Sequence, residues 1–265
     1  MGGMDDHTVA GRVVAVLDAV ADLGDAATLA ALTRSTGIPK PTVRRIADDL
    51  VARNLLERCD DGYRLGQHLL ELGLRAAHRH GLRGVATPYI QDLFARTGEV
   101  VWISAASETT YSLVDMAFGT NRAEELRRRM WPTMIRRPVF LATAAGRVLL
   151  ADRPDLAERL QLRPLRPLTR YTVTSWPQVA AALNVVRDTG TAIEHDQAML
   201  GYSCIAAGLR GPDRSLIGMI GVTGRTGNFI AKRVTRPLLA AASDIARILA
   251  TKHGSRHADS QSPLR

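Results

Sequence analysis

The run Gly37-Ile38-Pro39-Lys40-Pro41-Thr42 constrains this chain more than any other stretch. Glycine takes the left-handed backbone that ends a helix without steric cost, and two closely spaced prolines fit only the first turn of a new one, where their missing N–H groups would have no partner. One helix must therefore end at Gly37 and another begin at once. Upstream, Thr28 stands as a cap before Leu29, Ala30 and Leu32. From Thr8 to Leu23, Val9, Val13, Val16, Leu17 and Val20 recur at helical spacing until Gly24. Downstream, Val43, Ile46, Leu50 and Val51 repeat as far as Asn54. Two helices joined by a tight glycine turn, the second opening on Lys40, Thr42, Arg44 and Arg45, make a helix-turn-helix whose second helix offers donors to the major groove. Leu55 to Cys59 and Tyr63 to Leu65 then flank Asp60-Asp61-Gly62, which reads as an Asp-Gly turn in a hairpin, and a hairpin directly after such a helix is a wing.

Gln67 to His80 is helical again, with Leu69, Leu70, Leu72 and Leu74 apolar and a cationic end, and serves as a connector. Beyond Gly84 a helix from Pro88 to Thr97 precedes strands at Val100 to Ala105 and Tyr111 to Met116. Helices follow at Ala144 to Ala151 and Pro177 to Asp188, then strands at Thr191 to His195, Ser203 to Leu209 and Ser215 to Thr223, and a last helix from Phe229 to about Lys252. Consecutive strands with helices at their edges predict an α+β chain with a mixed, mostly antiparallel sheet in its larger part. The expected organisation is a winged helix-turn-helix domain over residues 1–66, a linker helix over 67–82, a second domain over 83–253 and a disordered polar tail over 254–265.

With 265 residues the chain has room for two cores, and 46% hydrophobic with 23% charged residues excludes a disordered or fibrous class. Its formal net charge of +9 favours polyanionic partners, although arginines are spread along its whole length, so position decides more than total charge. Cys59 and Cys204 are far apart, which implies neither a disulfide framework nor a metal site, and no motif calls for a cofactor. The opening residues Met1 to Asp6 carry two acids and no apolar run, and no stretch has the length of a membrane helix, so a cytoplasmic protein is expected.

Several segments, in order, are similar to one known family. They are Gly37 to Arg45, Leu50 to Glu57 and Gly62-Tyr63-Arg64-Leu65-Gly66 in the first part. In the second they are Ala142-Thr143-Ala144-Ala145-Gly146-Arg147-Val148-Leu149-Leu150-Ala151, Leu168 to Thr174 and Gly201-Tyr202-Ser203-Cys204-Ile205-Ala206-Ala207. The chain from about Val9 to Thr226 thus resembles the isocitrate-lyase-regulator (IclR) family of bacterial transcription factors. The resemblance implies a GAF-like effector domain, homodimers that often pair into tetramers, double-stranded operator DNA as partner, and a small organic effector, frequently a carboxylic acid.

On that basis Lys40, Thr42, Arg44 and Arg45 are candidates for base and phosphate contacts, with a solvated helix face as the competing reading, and Arg58 and Arg64 on the wing are candidates for phosphate contacts or plain surface charge. The resemblance places an effector between the helix opening at Ala144-Ala145-Gly146 and strands around Glu194, Cys204, Gly221 and Thr223. Cys204 could equally be core packing. Three departures bear on the effector: Asp196-Gln197 where the family has two acids, Leu141 where it often has histidine, and Gly221 where it tends to have serine. Cys204 with His195 is the only nucleophile and base pair suggesting catalysis, and nothing else accompanies it. A sensor or scaffold without sequence-specific DNA binding is the alternative function. The runs Arg127-Arg128-Arg129 and Arg136-Arg137 beside Trp131-Pro132 could be a second DNA-facing patch or a solvated or oligomer face.

Overall fold

The computed structural model describes residues 8–24, 27–128, 137–162, 165 and 167–259, without the side chains of 77–80, 125–128, 137–139 and 252–259. The chain forms two compact units, Met1–Arg79 and His80–Arg265.

In the first unit α1 (Val9–Leu23), α2 (Leu29–Thr36) and α3 (Lys40–Ala52) are followed by β1 (Leu56–Cys59), β2 (Gly62–Leu65) and α4 (Gln67–His80). Thr8 and Thr28 cap the first two helices, accepting from Gly11 N at 2.9 Å and Ala31 N at 3.1 Å. Gly37 ends α2 at φ 68°, and α3 starts against Pro39, as the proline spacing requires. Val16, Leu32, Val43, Leu50, Leu56 and Tyr63 meet in one apolar core that holds the three helices and the hairpin together.

The wing departs from expectation in one detail. Cys59 pairs with Gly62, so the loop is Asp60-Asp61 and Gly62 is a strand residue. Neither aspartate has a positive φ, whereas an Asp-Gly turn would have needed glycine for one. Gly62 is required instead by proximity: a Cβ there would lie 2.6 Å from Ala27 O, whose oxygen accepts from Tyr63 N at 3.1 Å. The missing side chain lets the wing lie on the loop between α1 and α2.

The second unit contains α5 (Leu82–Thr97), β3 (Val100–Ala106), β4 (Tyr111–Ala117), α6 (Thr120–Arg128), a 3-10 segment (Arg137–Ala142), α7 (Ala144–Asp152), α8 (Pro154–Gln161), α9 (Trp176–Thr189), β5 (Thr191–His195), β6 (Tyr202–Arg210), β7 (Leu216–Arg225) and α10 (Ala231–Asp259). Strand order is β4-β3-β7-β6-β5. Every pairing is antiparallel, so the mixed sheet expected from sequence is an antiparallel one. One face carries Trp102, Cys204, Ala206 and Met219 against the helices α7, α8 and α9. The other carries Val101, Ile103, Ile205, Ala207, Ile220 and Val222 against α5 and α10.

Two boundaries differ markedly from the sequence reading. Helix α5 begins at Leu82 and carries Pro88 inside it, because Leu82, Val85 and Ala86 bury against the sheet and the proline's lost hydrogen bond is offset by that packing. Helix α10 runs on to Asp259, so Gly254 to Asp259, expected in a disordered tail, continue a helix; an established helix propagates through a polar stretch until a breaker stops it. Residues 260–265 lie outside the described part. Helices α6 and α8 went unread because they are short and polar. Among the described residues no helix is long and apolar enough to cross a membrane, and no group of three or more His, Cys, Asp and Glu could hold a metal.

Candidate DNA interface and effector site

Helix α3 packs Val43, Ala47 and Leu50 inward, which turns the alternate positions out. Lys40, Arg44 and Arg45 are exposed and Thr42 is half-buried. No acid among the described residues pairs with Lys40, Arg44 or Arg45. Three other arginines of the unit are engaged: Arg58 bonds Asp48 of α3 and stacks 5.4 Å over the Tyr63 ring, Arg64 bonds Glu57 at 2.7 Å, and Arg53 bonds Asp49 at 3.1 Å. Arg58 therefore fixes the hairpin on α3, and Arg64 ties one strand of the hairpin to the other. Such exposed pairs are worth only about 0–1 kcal/mol, so a phosphate can displace the acid at little cost.

The second site is built by strand register. Glu194 pairs with Cys204, and Cys204 with Thr223; one step along, Ala192 pairs with Ala206, Ala206 with Gly221, and Gly221 with Trp102. Directly paired residues share a face, so these side chains form one floor. Trp102 Nε1 donates to Thr223 Oγ1 at 3.0 Å, and Thr223 donates on to Cys204 Sγ at 3.2 Å. Burial pushes the Cys204 thiol up to about 12, which keeps it neutral and unreactive. Trp102 also covers Gly221: a Cβ at that position would stand 2.2 Å from Cζ2 of the indole. The absence of serine at 221 is thus tied to the presence of tryptophan at 102.

Helix α7 closes the floor. Thr143 caps it by accepting from Gly146 N at 3.1 Å, and its hydroxyl lies 3.0 Å from the Tyr111 hydroxyl. Gly146 permits α7 to touch the 3-10 segment, since a Cβ would meet Phe140 O at 2.1 Å. Burial raises the Tyr111 hydroxyl, which remains a neutral phenol.

The charged groups here are buried. Glu194 is 4% exposed and accepts through Oε2 from Gln197 N at 2.9 Å and Ala198 N at 3.4 Å. Burial pushes its carboxyl up to about 7, with those two N–H groups and Arg147 pulling the other way. Arg147, inside the apolar run of α7, donates to Leu141 O at 2.9 Å, to Ile193 O at 3.0 Å and to Gln197 Oε1. Burial lowers its pKa, and Glu194 opposes that. Gln197 therefore holds Arg147 by an amide oxygen where an acid is usual in the family, and the Leu141 position contributes its backbone oxygen. Thr172 donates to Gln197 O at 2.7 Å and Thr169 to Asp196 O at 2.6 Å, hanging the segment before α9 on the same turn.

Of the residues expected at the site, Glu194, Cys204, Gly221 and Thr223 share the floor, and Ala144, Ala145 and Gly146 are buried in the helix above it. Sequence reasoning missed Trp102, Tyr111 and Arg147. The signal for Arg147 was present as a lone cation in Ala-Ala-Gly-Arg-Val-Leu-Leu; the two aromatics carried none. The supposed catalytic pair is split by strand parity, for His195 pairs with Ser203 and bonds its hydroxyl at 2.8 Å while Cys204 faces the floor. Arg129, Arg136 and Trp131-Pro132 lie outside the described residues, as do the side chains of Arg127, Arg128 and Arg137.

Comparison with known proteins identifies both domains. Residues 9–60 match the IclR helix-turn-helix domain, and residues 74–249 match the bacterial transcriptional regulator IclR C-terminal domain. The glycerol operon regulatory protein of Streptomyces coelicolor is 26% identical over 86% of this chain and 89% of its own length. The transcriptional regulator TtgV of Pseudomonas putida is 27% identical over 75% and 74%. Among solved structures, an IclR regulator from Alicyclobacillus acidocaldarius superposes with TM-score 0.73 at 20% identity, covering 90% of this chain and 98% of that one. An IclR homologue from Microbacterium hydrocarbonoxydans, complexed with 4-hydroxybenzoate, superposes with TM-score 0.71 at 24% identity, covering 90% and 99%. These matches span both units and disfavour a sensor without a DNA-binding part. The chain belongs to the IclR family of bacterial transcription regulators, with an amino-terminal helix-turn-helix for DNA and a carboxy-terminal effector domain.

Proposed function

We propose that residues 1–66 bind operator DNA, that the helix over 67–82 links them to the sensing part, and that residues 83–253 take a small organic effector that alters operator affinity. Lys40, Thr42, Arg44 and Arg45 read bases and nearby phosphates, while Arg58 and Arg64 hold phosphates once released from Asp48 and Glu57. The observation that carries this is the exposed, acid-free basic opening of α3, while Arg53, Arg58 and Arg64 are tied to acids. Ala144, Ala145, Gly146, Glu194, Cys204, Gly221 and Thr223 line the effector site. That the Microbacterium homologue was solved in complex with 4-hydroxybenzoate supports a small organic ligand. The protein works as a homodimer or dimer of dimers, so that two recognition helices reach successive major grooves. It acts without catalysis, because the buried neutral thiol of Cys204 faces away from His195.

A gel-shift and salt titration on the intergenic DNA beside its own gene, against an unrelated fragment of equal length, tests the reading. Selective binding lost in Arg44→Ala and Arg45→Ala is expected, each substitution costing roughly 1–3 kcal/mol if the residue forms a bidentate base contact. Equal weak binding to both fragments that fades steeply with salt would refute it.

A further inference from the structure

Helix α3 turns Lys40, Arg44, Arg45, Asp48 and Asp49 outward together, so acids share the exposed face with the reading cations. At about 100° per residue, Asp48 falls about 40° past Arg44 and about 60° short of Arg45, which puts it in the middle of that face, one turn further along. Among the described residues it does not pair with Arg44, four residues back and within reach on a helix surface. Its carboxylate bonds Arg58 of the wing, whose guanidinium also stacks 5.4 Å over the Tyr63 ring. Asp49 is turned a further ~100° round the helix and bonds Arg53 at 3.1 Å.

Stability does not account for an acid at position 48. The Asp48–Arg58 pair is exposed at both ends, and exposed pairs add little. A carboxylate on a surface that meets a polyanion lowers affinity for every sequence unless it finds a donor there. When Arg58 moves to a phosphate, Asp48 is left facing the groove without its cation. The base edges of the major groove offer only two donors, the amino groups of adenine and cytosine. Adenine's amino group lies beside N7, an acceptor that repels a carboxylate, whereas cytosine's has no acceptor next to it on its own ring; guanine and thymine present only acceptors and a methyl group.

Resting on the reading of α3 as the recognition helix, we infer that Asp48 is a specificity-determining residue: it accepts from the amino group of a cytosine in the operator, beyond the bases met by Arg44 and Arg45, and disfavours the other three bases at that position. Arg58 neutralises Asp48 in the free protein and exchanges it for a phosphate on DNA.

The test is selection from a randomised double-stranded DNA pool by the full chain, with sequencing of the bound fraction and gel-shifts of the selected site against an unrelated fragment. The wild-type protein is expected to enrich a site holding a cytosine preferred about tenfold, a preference that Asp48→Ala abolishes while its affinity for the unrelated fragment rises. Asp48→Asn should move the preference from cytosine to adenine, whose N6 and N7 an amide meets together. Arg58→Ala breaks the same ion pair but keeps the acid, so it should weaken binding to all sequences alike and leave the cytosine in place. A site enriched by the wild type and unchanged, base for base, in Asp48→Ala overturns the inference while leaving the operator reading intact. Loss of the cytosine preference in Arg58→Ala also overturns it, since the ion pair and not the acid would then be the determinant. A wild-type protein that enriches no site overturns both.

Discussion

Replacing Gly221 by serine, the residue usual in the family, should destabilise this protein, and the structure says by how much. The new Cβ would stand 2.2 Å from Cζ2 and 2.5 Å from Cε2 of Trp102, where carbon atoms ordinarily rest ~3.5–4.0 Å apart, so the indole must retreat by more than ~1 Å. Overpacking of that kind costs about 1–3 kcal/mol. The retreat also breaks the 3.0 Å bond from Trp102 Nε1 to Thr223, worth about 1 kcal/mol. Gly221→Ser is therefore expected to cost roughly 3 kcal/mol, and more if the buried hydroxyl finds no partner. Trp102→Ala alone should cost roughly 3–5 kcal/mol by leaving a cavity. Combined, the two should cost less than their sum by roughly 2 kcal/mol, because serine then grows into the space the ring has left. All three tryptophans, Trp102, Trp131 and Trp176, belong to the second unit, so urea unfolding followed by tryptophan fluorescence reports on that unit, with Trp131 and Trp176 serving in the Trp102 variants. A Gly221→Ser cost below about 1 kcal/mol, or additive costs in the double variant, would show that ring and glycine are not coupled.

Other expectations follow from neighbouring features. The Glu194 carboxyl is raised from 4.5 to about 7, so the folded state holds its proton more tightly than the unfolded state; stability of the second unit should fall as pH rises from 4.5 towards 7 and level off above. Urea midpoints across that range should show the slope, which Glu194→Gln should flatten. Thr143→Ala removes both the cap of α7 and the partner of the Tyr111 hydroxyl, for a loss of roughly 1–3 kcal/mol in the same unfolding assay; an unchanged midpoint would discount the cap. Gly62→Ala should shift the wing off Ala27 and weaken operator binding in the gel-shift while leaving fluorescence-monitored unfolding untouched. An aromatic disulfide reagent at mild alkaline pH should label exposed Cys59 quickly and Cys204 only on unfolding, and two fast thiols would contradict the burial of Cys204.

The first unit was legible almost residue by residue, because its signals are local. Prolines, caps and glycine stops act within one turn of helix, and Thr8, Thr28, Gly37 and Pro39 sit where those rules put them. The Asp60-Asp61 loop was misread because the pressure on Gly62 comes from Ala27, distant in sequence, and not from the turn itself. In the second unit the strands were found to within a residue or two, but their order was not, since pairing β3 with β7 brings together segments that share no local pattern. The same non-locality hid Trp102: its role depends on Gly221 and Thr223, which only the register places beside it. Helix α10 outran its forecast end because the absence of apolar periodicity marks a solvated face as readily as the end of a helix.

The two faces of the sheet divide β6 and β7 by parity. Cys204 and Ala206, with Met219, Gly221 and Thr223, lie on the face of the proposed effector floor, while Ile205, Ala207, Ile220 and Val222 interlock with α5 and α10. Substitutions of one parity can therefore redraw chemical taste while those of the other keep the frame in register. A lineage built on this sheet can change what it senses by point mutation, one alternate position at a time, without first relearning how to fold.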